Sequence, residues 1–122
     1  MEKLYNLNGD VAVLVSPGYG AGWFSWNREY PECLFDKELA LLVQEKIKLE
    51  EQEDETGVST IDERAHVIQQ IIKLAGEKFD NFYPGGADQL TIEWLPEGTP
   101  FEIHEYDGSE SIELADRQWQ LA

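Results

Sequence analysis

The chain has 122 residues, 42% of them hydrophobic and 11% aromatic, which suits a single core in one domain over 1–122 and is too apolar for a disordered acidic tail. Acidic side chains outnumber basic ones by 25 to 9, giving a formal charge of −16 and a pI near 4.2. Such a field repels nucleic acid and anionic membranes, which need a basic footprint, and attracts basic protein surfaces.

Cys33 is the only cysteine, so an internal disulfide and a four-cysteine zinc site are both excluded. A lone cysteine of this kind reads as a small apolar core residue. Apolar runs such as Val11 to Val15 are far too short to span a bilayer. Met1 to Tyr5 carries no basic region followed by an apolar segment, so the protein is expected in the cytoplasm of the cell that makes it.

In chain order, Asn8-Gly9-Asp10 is turn chemistry, and Val11 to Val15 reads as a strand buried on both faces. Ser16-Pro17-Gly18 ends it, and a glycine-rich aromatic loop runs from Gly18 to Asn27. A helix starts at Asp36, a good N-cap, with Leu39, Leu42, Val43 and Ile47 as its apolar stripe. The acidic run Glu50 to Glu55 is expected to dissolve that helix into a solvated end and a loop punctuated by Gly57. Thr60 and Glu63 fit a capping box at the start of a second helix. Its apolar face is Ala65, Ile68, Ile71, Ile72 and Ala75, and Gly76 suits its C-terminus.

The last third alternates as strands do. Leu90, Ile92 and Trp94 form one strand, Pro96-Glu97-Gly98-Thr99 a turn, and Phe101 to Tyr106 another strand. Asp107-Gly108 is a two-residue hairpin turn. Folding about it sets Phe101 opposite Leu114, Glu102 opposite Glu113, Ile103 opposite Ile112 and His104 opposite Ser111. The fold class expected is α+β: one N-terminal strand, two helices, then a three-stranded antiparallel meander whose small sheet carries the helices on one face.

Two regions carry functional signal. In the first, Glu93, Glu102 and Glu113 are expected to share the outer face of the meander with His104, and Asp107 and Glu110 to lie at its rim. Spaced carboxylates of this kind can occupy a groove built for phosphates, where lysines and arginines pair with them, or can simply solvate and protect the sheet. His104 on this face is a candidate pH sensor or, more ordinarily, a structural hydrogen-bonding group. The second is the loop, where Tyr19, Trp23, Phe24 and Trp26 either anchor a protein contact or plug the end of the core. Its glycines are spaced G-x-G-x-G with no lysine following, which departs from the nucleotide-binding fingerprints and fits close backbone approach. No spaced histidine pair or nucleophile elbow is present, so no catalytic residue, metal or cofactor is expected.

The segment SPGYGAGWFSWN (16–27), together with EWLPEGTPFEIHEYDGSES (93–111), resembles a group of small proteins encoded by bacteriophages and prophages. The resemblance covers the first strand, the loop and the final strands, and supplies no catalytic residue to carry over. It implies an accessory protein that binds stoichiometrically to a host protein, as inhibitors of defence systems, CRISPR effectors among them, do. The expected function is therefore non-enzymatic inhibition of a host defence or nucleic-acid-processing complex. The acidic face would meet a basic surface by nucleic-acid mimicry, without contact to nucleic acid or membrane. One alternative is a nucleotide-signal sponge or small enzyme using the Gly18–Gly22 loop. Another is a structural or assembly accessory of a phage particle.

Overall fold

The computed structural model describes residues 2–18 and 22–114. The first strand, β1 (Asp10–Val15), is launched by an Asn6 turn: Asn6 Oδ1 accepts from the amides of Asn8 and Asp10, and Gly9 takes φ +80°. Antiparallel to β1 lies β2 (Thr91–Pro96), in a register running from Asp10 opposite Pro96 to Val15 opposite Thr91. The remaining strands, β3 (Phe101–Tyr106) and β4 (Ser109–Leu114), form a separate antiparallel hairpin.

The chain is therefore α+β in the expected order, but its strands make two two-stranded ladders rather than one three-stranded meander. The β2–β3 connection is bracketed by Pro96 and Pro100, neither of which has an N–H to give to a ladder. Between them the chain reverses through Gly98 at φ +81°, with Thr99 N–H donating to Pro96 O at 3.1 Å. Released from β3, β2 instead pairs along the edge of the apolar β1. Both faces of β1 are buried by other elements: Ala12 and Leu14 pack with Ile92 and Trp94 toward the helices, while Val13 and Val15 pack with Leu34 and Ile103 toward the hairpin. The β1–β2 ladder is thus a middle layer between helices and hairpin.

The first helix, α1 (Lys37–Thr56), is capped by Asp36, whose carboxylate accepts from Leu39 N–H at 3.1 Å, and it ends at Gly57 in the left-handed region (φ +71°). Glu50 to Glu55 stay helical, correcting the expected loop, because that end is tied to the next helix, α2 (Ile61–Lys78). Glu53 accepts from Thr60 N–H at 2.8 Å and pairs with Arg64 at 3.1 Å, and Thr60 Oγ1 donates to Leu49 O at 2.9 Å. With its hydroxyl donated to Leu49, Thr60 N-caps α2 without the expected capping box to Glu63. Gly76 lies inside α2, which runs on to Lys78, and the buried face is Val67, Ile71 and Ala75 while Ala65 is exposed.

At the other end of the helix pair, Lys78 Nζ holds Asp36 at 3.0 Å and Glu38 at 2.8 Å. Lys46 is buried in α1 with its ammonium satisfied by Glu50 (2.6 Å) and by the carbonyl of Leu90 (3.0 Å), which fixes the entry to β2. Among the described residues, no helix is long and apolar enough to cross a membrane.

Candidate functional site

The β3–β4 hairpin turns at Asp107 and Gly108, both at positive φ (50° and 81°), as a two-residue hairpin turn requires. Its register pairs Glu102 with Glu113, Ile103 with Ile112 and His104 with Ser111. Phe101, Ile103 and Ile112 pack against β1 and Leu34, so Glu102, His104 and Glu113 are left on the outward face. They form one cluster there: His104 Nε2 lies 3.4 Å from Glu102 and Nδ1 lies 3.1 Å from Glu113. Like charges opposed across a ladder are unfavourable, and the His104 ring stands between the two carboxylates. All three side chains remain roughly half exposed or more. Asp107 stands exposed at the hairpin tip.

The other expected site residues do not join this face. Glu93 is exposed but sits on β2 opposite Val13, in the other ladder. Glu110 is only 2% exposed, because it shares the inward side of the hairpin with Ile112 and Ile103. Its carboxylate accepts three hydrogen bonds: Oε1 from Ser16 N–H (2.9 Å), and Oε2 from Ser25 N–H (2.8 Å) and Ser25 Oγ–H (2.7 Å). Its own N–H donates to Ser16 O at 2.8 Å. Glu110 thus extends β1 by one rung toward the hairpin and seats the aromatic loop in the same step. These hydrogen bonds satisfy both oxygens of the buried carboxyl group, as burial of such a group requires.

The aromatic loop is divided in role. Trp23 is fully buried, donating to Cys33 O at 2.9 Å and packing edge-on against Phe82 at 4.7 Å, so it is a core plug and not a partner contact. Trp26 is about half exposed, and Phe24 lies partly buried against both core clusters. Tyr19 lies outside the described residues. Asn27, which the sequence did not single out, is buried and clamps the loop to residue 83: Nδ2 donates to Trp23 O (2.6 Å) and Tyr83 O (2.9 Å), and Oδ1 accepts from Tyr83 N–H (2.7 Å). Gly22 (φ +103°) lies under the Trp26 indole, and a Cβ at Gly86 would overlap the carbonyl oxygen of Gly22. At these two positions glycine serves close backbone approach.

Burial, reinforced by the charges of Glu110 and Glu32, pushes the Cys33 thiol well above its usual range, which disfavours a thiolate nucleophile. Among the described residues, no group of three or more histidine, cysteine, aspartate or glutamate side chains is placed to hold a metal ion. The signal for Glu110 was present in the sequence. It lies two residues before Ile112 on a strand, and alternation puts it on the apolar side. Comparison with known proteins finds no matching family model, no matching curated protein and no matching solved structure.

Proposed function

We propose that this chain is a non-enzymatic, acidic binding protein that attaches stoichiometrically, through the outer face of β3–β4, to a basic surface of a partner. The observation that carries this is the Glu102–His104–Glu113 cluster, exposed on a hairpin whose inner face is locked to the core. Lysine and arginine side chains of a groove built for phosphates pair with carboxylates so spaced, and the charge of −16 adds long-range attraction. Tyr106, largely exposed, shares the strand parity of Glu102 and His104 and adds aromatic area to that face, while Trp26 is about half exposed on the aromatic loop.

The partner class we favour is a host defence or nucleic-acid-processing complex, in the cytoplasm of a bacterial host. The support is the resemblance of 16–27 and 93–111 to small phage-encoded proteins, joined to the acidic face. The test is a phage-plating assay in bacterial strains that each carry one defined nuclease-based defence system. Expression of the chain raises plating efficiency in at least one strain, and the Glu102→Lys/Glu113→Lys double variant, matched for expression, does not. No rise in any strain speaks against the inhibitor role. A rise that survives the double variant removes the hairpin face from it.

A further inference from the structure

A cleft of about 650 Å³ opens beside the acidic cluster, lined by Phe24, Arg28, Leu34 and residues Phe101 to His104 of β3. Leu34, Phe101 and Ile103 give it an apolar base continuous with the core cluster between β1 and the hairpin. Phe24 and Arg28 also line it, with the guanidinium 5.1 Å from the Phe24 ring centre. Glu102 and His104 are common to the cleft and to the acidic cluster, so the two are adjoining parts of one surface. The walls come from different segments, yet Glu110 of β4 holds Ser25, the neighbour of Phe24, through two hydrogen bonds. The cleft is therefore preorganised and does not have to be assembled on binding.

We propose that this cleft receives one aliphatic or aromatic side chain of a protein partner, from a segment whose adjacent lysine or arginine pairs with Glu102 and Glu113. This rests on the acidic-face reading above and adds the apolar anchor that reading lacks. Charge complementarity selects the occupant. An apolar side chain next to a basic one matches an apolar base next to two carboxylates, whereas an acidic segment would have to sit against Glu102 and Glu113 in a field of −16. The arrangement has the anatomy of an interface in miniature, an apolar centre with a charged rim.

The test is a titration of the isotope-labelled protein, followed by backbone amide NMR, with three end-blocked peptides: Gly-Lys-Phe-Lys-Gly, the same with alanine for phenylalanine, and Gly-Glu-Phe-Glu-Gly. The phenylalanine-lysine peptide is expected to shift Phe101 and Ile103 as well as Glu102 and Glu113, and to bind about tenfold more tightly than the alanine-lysine peptide. The alanine-lysine peptide shifts the glutamates alone. Equal affinity of the two lysine peptides overturns the anchor while leaving the acidic face standing. Strongest binding by the glutamate peptide overturns the basic occupant in favour of a carboxylate-bearing one on Arg28. Silence from both lysine peptides removes the acidic face itself.

Discussion

Glu110 and Glu102 are the same residue type on the same hairpin, and strand parity sends them to opposite fates. Glu102 faces solvent, while Glu110 is turned inward and spent on Ser16 and Ser25. Replacing Glu110 with glutamine puts an NH₂ where an oxygen now accepts, leaving at least one buried backbone N–H unmatched. We expect Glu110→Gln to lower unfolding stability by about 1–3 kcal/mol, measured by urea denaturation. Gly86→Ala should also destabilise, because a methyl group there collides with backbone at Gly22 and no side chain can rotate away. Thermal melts of the two glycine variants Gly86→Ala and Gly57→Ala separate this effect from left-handed strain alone. Gly57 has open space around its Cβ position and should respond only to its φ of +71°. Residue-level roles were legible only where a local rule decided them. The Asp36 cap and the Asp107-Gly108 turn follow from such rules, whereas Asn27 and Gly86 act through partners distant in sequence (Tyr83 and Gly22) that no local pattern announces.

Among elements, the hairpin register was readable because one face is apolar and a one-residue slip would bury Glu102 and Glu113. The partner of β1 was not, since a continuous apolar strand specifies burial on both faces without naming what covers them. The helix pair held a second surprise. Read alone, Glu50 to Glu55 repel one another, but Glu53 finds Thr60 N–H and Arg64 across the turn, and helix continues to Thr56. The Thr60 N–H bond, assisted by Arg64, holds the Glu53 carboxyl below the ordinary 4.5 of a glutamate. A carboxyl with a depressed folded-state value stabilises the fold above its unfolded-state value, and that contribution is lost as pH falls through the lowered one. Melting temperatures of the wild type and Glu53→Gln should therefore differ at neutral pH and converge as the solution is acidified through and below that lowered value. A gap unchanged by acid would mean that the carboxylate charge is not what clamps the turn.

For the whole molecule, three layers share out the work. The helices and the β1–β2 ladder bury most of the core, and the hairpin is pinned to them through Val13, Val15, Leu34 and Glu110. Its outer face is thereby free to carry charge that contributes little to folding. Glu102→Lys/Glu113→Lys should accordingly leave the melting temperature within a few degrees of the wild type, because exposed pairs contribute only about 0–1 kcal/mol. Attraction between exposed charges also weakens over a Debye length of about 8 Å at physiological ionic strength, so partner capture should decline with added salt. The most direct measurement is affinity capture from bacterial lysate with the wild type and this double variant side by side, at low and moderate salt, with bound proteins identified by mass spectrometry. The expected result is one basic, nucleic-acid-processing protein or complex enriched by the wild type at low salt, reduced at moderate salt and absent from the variant. Capture of the same proteins by both chains, or of none by either, would contradict a role for the acidic face.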